Sequence, residues 1–458
     1  MFHLSFLKYS VSNLTEFKRQ LCLSIYQFAR NQNLDNVIED KEPNVYISNL
    51  FNAMRNSEQL VLLIDEYDCQ LTANINNPEL YEKFRTCMRE FYAALKGAKQ
   101  IKFMAVTGVT RLKDVSIFSV GSDIRDLSYE HAFSQMIGFT REEIKKFYID
   151  YLKLGVSYEK GIDVTDVTDA EIEDLLSRMA EHYDGYCFDR FYENKVFSTY
   201  SVNNFLQSIA NDKRVVFGDY WYEAGGIPSI LRNYLSSHDI DLKKFLESSE
   251  IEISYDDFMN PTTLPDMNEN VLMCQTGYLT LKSEIENPFN VVAGLANKEV
   301  RVALNSLLTL KLFNTEQSPY FGRKNTIIEK GSVEEIVGLL NSVLAAVAYD
   351  KYPITSEAVL RALLQMYLTG MKYDVRIEQH NFKGRSDIQI NFAKRRVVME
   401  LKFSADGKNA DRLLEEGLEQ IKSRQYGIEN LEGQELLRLA CVFNASEKIR
   451  QITSYQAL

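Results

Sequence analysis

A chain of 458 residues with 45% apolar and 25% charged residues can bury two or three cores, which excludes a disordered or low-complexity protein. A net charge of −12 excludes coating of nucleic acid through a global positive field, although a local basic channel stays open. Six scattered cysteines without a CxxC pair and five isolated histidines lack the spacing of a disulfide framework or a zinc site, and fit the reduced core of a cytoplasmic protein.

The opening MFHLSFLKYS is too short and too polar for a signal peptide, and no run approaches a membrane span, so no membrane partner is expected. Phe2 to Tyr9 reads as a strand. Leu14 to Asn31 has helical spacing, with Leu14, Phe17, Leu21, Ile25 and Phe28 on one face. Asn44 to Asn56 reads as a second helix. Leu60 to Ile64 is a fully apolar strand that ends in Asp65-Glu66-Tyr67-Asp68. Pro78 to Lys96 is a helix with Leu80, Phe84, Cys87, Met88, Phe91 and Leu95 on its stripe. Ile101 to Val106 is another apolar strand, ending at Thr107-Gly108. Apolar strands joined by long amphipathic helices imply a parallel sheet covered on both faces.

From Gly138 the pattern turns helical. Thr140-Arg141-Glu142-Glu143 opens a helix that continues through Ile144, Phe147, Tyr148 and Leu152. Asp169 to Tyr183, Val202 to Ile209, Ile227 to Leu235, Ser332 to Tyr349 and Ser356 to Thr369 also read as helices. Val271 to Lys282 reads as a strand. The chain is β-rich from Tyr373 to Phe403, helical from Asp411 to Tyr426, and closes with a strand at Leu437 to Phe443.

Two constellations carry chemistry. An apolar strand delivering Asp65 and Glu66 suits a Walker B motif, where the aspartate holds Mg²⁺ and the glutamate polarises water. Thr107 would be the polar sensor beside it, and Arg111 would face a phosphate or the neighbouring segment. Many parallel strands end in an acid for structural reasons alone, and the sequence contains no G-x-x-x-x-G-K-[ST] to cradle phosphates.

The second constellation is Gly384-Arg385-Ser386-Asp387 followed by RRVVMELKF at Arg395 to Phe403. Strand alternation puts Val397, Met399, Leu401 and Phe403 on one face, and Val398, Glu400 and Lys402 on the other. Opposite charges on an otherwise apolar strand must be paired or must hold a metal. Asp387, Glu400 and Lys402 make a plausible Mg²⁺ site, with the ammonium acting on the attacking water. The plain alternative is a salt bridge in a β-meander. Lys383, Arg385, Lys394, Arg395, Arg396 and Lys408 form either a nucleic-acid channel or a solvated hairpin rim.

The motifs VLLIDEYD, VTGVTRLKDVSIFS, HYDGYCF, YWYEAGGIPSIL, QTGYLTLK, LANKEVR and GRSDIQI…VVMELKF occur in this order along the chain. Together they resemble the bacterial AAA-ATPase-like proteins fused to a PD-(D/E)XK nuclease-superfamily domain. The resemblance implies a truncated P-loop NTPase-type parallel sheet with a helical lid, followed by a C-terminal mixed α/β nuclease domain. The implied divisions are 1–137, 138–350 and 351–458.

It also implies Walker B roles for Asp65 and Glu66, a sensor role for Thr107, and ATP as a family cofactor. Asp387, Glu400 and Lys402 become the nuclease acids and lysine, Glu357 an additional metal acid, and Gln420 and Tyr426 contacts to water or the nucleic-acid backbone. Members begin with a strand and a phosphate loop, so the resemblance implies a chain that starts after them, from a late start codon or a truncated gene. The expected consequences are impaired ATP hydrolysis, an open sheet edge with exposed apolar surface, and poor solubility. The implied activity is Mg²⁺-dependent cleavage of nucleic acid. The alternatives are a non-catalytic nucleic-acid or protein-interaction module, and a working ATPase completed upstream; a homo-oligomer stays open.

Overall fold

The structure, a computed structural model, describes residues 1–54, 59–111, 124–220, 230–231, 233–234, 250–261, 263–286, 289–312, 326–347, 349, 352–371, 373–381, 384–428, 431 and 433–458. They form two units, one from the described residues of Met1–Ile240 and Glu250–Lys298, the other from those of Glu299–Leu458. The architecture is mixed α/β, with a parallel three-stranded sheet near the N-terminus, a helical region, and a mixed C-terminal sheet.

In the first unit, β1 (Phe2–Ser5), β2 (Leu60–Asp65) and β3 (Ile101–Val106) run parallel in the order β1-β2-β3. Parallel neighbours need long crossovers. The first is supplied by α1 (Leu14–Asn31) and α2 (Pro43–Ala53), the second by α3 (Cys69–Ala73) and α4 (Pro78–Leu95). Asn13 and Asn77 cap α1 and α4 by accepting from Glu16 N–H and Leu80 N–H. Phe17 of α1 meets Phe84 of α4 edge to face, with ring centroids 5.4 Å apart. The strand expected over Phe2 to Tyr9 stops at Ser5, and the chain turns into a short 3₁₀ segment at Phe6–Lys8. Among the described residues β3 is a sheet edge, and its Phe103 is 57% exposed.

The helix opened by Thr140 divides at Tyr148 into α5 (Arg141–Phe147) and α6 (Ile149–Lys160). α7 (Asp169–Tyr183) and α8 (Thr199–Asp212) complete the layer. Capping boxes at Thr140/Glu143 and Thr168/Glu171 set the starts of α5 and α7. Ile144, Leu152, Leu175, Met179, Tyr183 and Phe205 fill the core of this layer.

A small antiparallel sheet follows, with β4 (Glu250–Ile253), β5 (Leu279–Leu281) and β6 (Val291–Leu295) in the order β4-β6-β5. α9 (Tyr255–Met259) and α10 (Glu269–Gln275) lie between β4 and β5. The strand expected over Val271 to Lys282 is therefore half helix. A short apolar run does not separate a buried helix from a buried strand, and the Asn268 side chain decides it by capping α10 at Asn270 N–H. Most of the helix expected at Ile227 to Leu235 lies outside the described residues.

α11 (Lys298–Leu312) leads into the second unit, followed by α12 (Thr326–Lys330), α13 (Val333–Ala345) and α14 (Glu357–Gly370). Its sheet contains β7 (Asp374–Asn381), β8 (Gly384–Asn391), β9 (Arg395–Ser404), β10 (Glu435–Asn444) and β11 (Gln451–Ala457) in the order β11-β10-β9-β8-β7. β9 and β10 are parallel and joined by α15 (Ala410–Arg424); the other pairs are antiparallel. β11 escapes the sequence pattern because it is a partly exposed edge strand with few apolar residues.

Candidate functional site

β9 is buried along almost its whole length, and it carries Glu400 and Lys402 into the interior at 5% and 9% exposure. The described ladder between β8 and β9 runs from Asn391/Arg396 to Ile388/Met399. One residue further along β8, the Asp387 side chain takes over: its Oδ2 accepts from Leu401 N–H at 2.8 Å. This side-chain-to-backbone bond fixes the carboxylate at the place where the two strands part. Asp387 Oδ1 accepts from Arg361 Nη1 at 2.9 Å.

Lys402 Nζ donates to Glu400 Oε1 at 2.9 Å and lies 3.9 Å from Glu357 Oε2. Glu357 opens α14 just after its cap Ser356. Three elements thus bring Glu357, Asp387, Glu400 and Lys402 together. Two buried acceptors, Glu400 Oε2 and Gln420 Oε1, have no hydrogen-bond partner. An unsatisfied buried carboxylate oxygen costs free energy unless a cation or donor meets it. The donor set, hard oxygens with a lysine beside them, fits a hard divalent cation.

The electrostatics agree with a site short of positive charge. Burial raises the Glu400 carboxyl to about 7, and the Asp387 charge adds to the effect against the pull of Lys402. Burial also raises Glu357, with Lys402 opposing and Asp387 reinforcing the shift. Burial works against the charged Lys402 ammonium, but Glu400, Glu357 and Asp387 outweigh it and hold the ammonium above its usual range.

α15 covers the Glu400 face of the sheet, and its Ile421 forms a core cluster with Val398 of β9, Ala440 of β10 and Tyr426. A Cβ on Gly417 would sit 3.3 Å from Ala440 Cβ, 3.7 Å from Lys402 Cγ and 3.8 Å from Glu400 Cγ. Glycine there lets the helix lie close over the charged pair. Tyr426 is buried and its hydroxyl accepts from Arg424 Nη1 at 2.9 Å. Arg361, Gly417 and Arg424 were not singled out in the sequence. Helical spacing is a signal for two of them, since Arg361 follows Glu357 by four residues and Arg424 follows Gln420 by four, and for Gly417 there is none.

The basic residues around the hairpin are largely engaged in structure. Arg395 pairs with Glu435 and donates to Gly331 O. Arg396 is buried and donates to Gly427 O, and the exposed Lys408 pairs with Asp406. Lys383 and the Arg385 side chain lie outside the described residues.

In the first unit Asp65 ends β2 and its Oδ1 accepts from Thr107 Oγ1 at 2.5 Å. The two predicted partners therefore meet across neighbouring strands. Glu66 has φ +52°, a left-handed conformation that costs a non-glycine residue about 1 kcal/mol or more. Burial, with the Asp65 and Asp68 charges, raises its pKa. Asp68 is buried and accepts from Val109 N–H, Thr110 N–H and Thr110 Oγ1, which ties the end of β2 to the loop after β3. Gly108 allows this approach: a Cβ would fall 2.5 Å from the Tyr67 ring and 2.6 Å from Asp68 Oδ1. Arg111 faces the neighbouring segment, donating to Asp126 and Phe258 O and lying over the Tyr129 ring.

Among the described residues, His131, Asp189 and Glu193 of this unit also bring metal-capable atoms together. The buried Asp189 carboxylate is already met by Phe191 N–H, Asn194 N–H, Asn194 Nδ2 and His131 Nδ1, so it fastens its own loop.

Residues 1–118 match the family model described as a predicted AAA-ATPase, and residues 355–453 match that of the PD-(D/E)XK nuclease superfamily. The chain is also similar to an uncharacterized protein in the vnfD 5' region of Azotobacter chroococcum mcd 1, 23% identical over 354 residues. The match covers 75% of this chain and 62% of that protein's length. PD-(D/E)XK nucleases generally depend on a divalent metal, and the superfamily points to nucleic acid as substrate. No helix of the described residues is long and apolar enough to cross a membrane. The chain therefore combines an AAA-ATPase-like region at its N-terminal end with a PD-(D/E)XK nuclease-superfamily domain toward its C-terminal end.

Proposed function

We propose that residues 351–458 form a Mg²⁺-dependent nuclease domain that hydrolyses nucleic-acid phosphodiesters. The observation that carries this reading is the convergence of Glu357, Asp387, Glu400 and Lys402, with Glu400 Oε2 left buried and unpartnered. Asp387 and Glu400 would hold the cation, and Glu357 would join them as an outer acid. When bound, the cation would make water a better nucleophile and stabilise negative charge on the phosphate.

The chain's own groups then have separate tasks. Leu401 N–H keeps Asp387 oriented. Lys402 stabilises charge developing on the phosphoryl oxygens as water attacks phosphorus and the P–O bond to the leaving group breaks. Gln420 offers its Oε1 to a donor such as the attacking water.

The test is cleavage of labelled single- and double-stranded DNA and RNA by the full chain with Mg²⁺ and with EDTA, beside Asp387→Ala. Cleavage should require Mg²⁺ and be lost in the variant. Binding of nucleic acid without metal-dependent cleavage would instead favour a non-catalytic interaction module.

The Asp65–Thr107 bond supports a second part of the reading, in which Asp65 and Glu66 serve as Walker B residues toward Mg·ATP and Thr107 as the sensor; residues 138–350 would then be a helical lid and connecting region, the lid running from Gly138 to about Lys282. The 458 residues contain no G-x-x-x-x-G-K-[ST] motif, and ATP turnover by these residues alone is proposed to be impaired. Mg·ATP binding that is indifferent to Asp65→Asn would count against the assignment.

A further inference from the structure

We propose that the Arg361 guanidinium occupies, on Asp387 Oδ1, the place that a divalent cation would take, and gives the carboxylate up when the cation binds. This rests on the metal-site reading above. Arg361 lies one helical turn after Glu357 on α14, so the two side chains leave the helix on the same side. Its Nη1 donates to Asp387 Oδ1 at 2.9 Å, while Oδ2 is fixed by Leu401 N–H at 2.8 Å. One oxygen of Asp387 is committed to the backbone, and the other to the long Arg361 side chain. The exposures differ in the same sense, 21% for the Arg361 side chain and 10% for that of Asp387. The Arg361 side chain is thus the more exposed of the two partners.

The charge balance leads to the same assignment. Among the described residues, Glu357, Asp387 and Glu400 have two cations within ion-pair distance, Lys402 and Arg361. Lys402 Nζ is engaged with Glu400 at 2.9 Å and lies 3.9 Å from Glu357, which leaves Arg361 to neutralise Asp387. A divalent cation on Asp387 Oδ1 would compete with the guanidinium for the same lone pairs and repel its charge. Once displaced, the planar guanidinium is suited to phosphate oxygens, which it can meet in bidentate fashion. Arg361 would then exchange a carboxylate for the nucleic-acid backbone as the metal loads. A purely orienting residue would behave in the opposite way, because its removal would weaken metal binding.

The experiment is isothermal titration of Mn²⁺ into the full chain as wild type, Arg361→Gln and Asp387→Asn. Asp387→Asn should remove one Mn²⁺ site. Arg361→Gln should tighten that same site by roughly tenfold or more, the effect of one unit charge on a divalent ion in partly hydrated surroundings. Equal or weaker Mn²⁺ binding by a folded Arg361→Gln protein overturns the proposal and leaves the metal site standing. If wild type has no Mn²⁺ site sensitive to Asp387→Asn, the metal-site reading fails and this proposal falls with it. A second measurement needs no variant: phenylglyoxal labelling of Arg361 in wild type, mapped by peptide mass spectrometry, should rise several-fold when Mg²⁺ is added. Unchanged or reduced labelling overturns the proposal even if Arg361→Gln does not fold.

Discussion

The Glu400 carboxyl gives the sharpest quantitative test of the site. Its pKa is raised from 4.5 to about 7, first by burial and then by Asp387. In the metal-free protein the folded state therefore keeps a proton on Glu400 between pH 4.5 and 7 that the unfolded chain has already lost. The unfolded state binds fewer protons in this window, so stability falls as pH rises. Linkage puts the penalty at roughly 1 kcal/mol at pH 5 and roughly 3 kcal/mol at pH 8, a loss on the order of 2 kcal/mol across the range.

Glu400→Gln removes the titrating group while keeping an acceptor for Lys402 Nζ. Measured in EDTA, the advantage of the variant over wild type should grow by a few kcal/mol, on the order of 2, between pH 5 and pH 8. Denaturant unfolding of the full chain is the assay, with the transition of the second unit identified by hydrogen-exchange mass spectrometry on β9 and β10 peptides. Excess Mg²⁺ should abolish the wild type's loss of stability at pH 8, because the cation binds the ionised carboxylate. A stability difference between the two proteins that stays constant from pH 5 to pH 8 in EDTA would refute the reasoning.

Two further substitutions probe the packing around each site. Gly417→Leu has no room over Ala440, Lys402 and Glu400, so it should cost about 1–3 kcal/mol and displace the charged pair. Mg²⁺-dependent cleavage should fall at least tenfold, whereas Gly417→Ala should keep most of it; equal rates for glycine and leucine would remove Gly417 from the site. Asp68→Ala leaves Val109 N–H, Thr110 N–H and the Thr110 hydroxyl without their acceptor. The expected cost is about 3 kcal/mol in thermal unfolding, and a change of only a few tenths would mean that water replaces the carboxylate.

Local periodicity alone was enough to place most elements of this protein. The helix over Leu14 to Asn31 is set by its apolar stripe and the Asn13 cap, and the strand at Leu60 by its apolar run. The common face of Glu400 and Lys402 follows from the pleat, since residues two apart on a strand must point the same way. Asp65 and Thr107 could be paired in advance because parallel strands of similar length, joined by crossovers, bring their C-terminal ends side by side.

Tertiary structure decided what depends on register and packing between distant segments. No periodicity in α14 indicates that Arg361 reaches an aspartate 26 positions away, because that contact depends on where the β8–β9 ladder stops. The positive run at Arg395 and Arg396 looked the same in sequence whether it lined a channel or tied down loops, and only the positions of Glu435, Gly331 and Gly427 separate the two. Gly417 is informative only once α15 lies on β9, and α10 became a helix through a side-chain cap rather than through its apolar run. Hydrophobic spacing is a property of near neighbours and survives in the sequence. The partner of a buried charge is a property of the folded sheet, because burial by the whole unit makes an unpaired charge costly enough to matter.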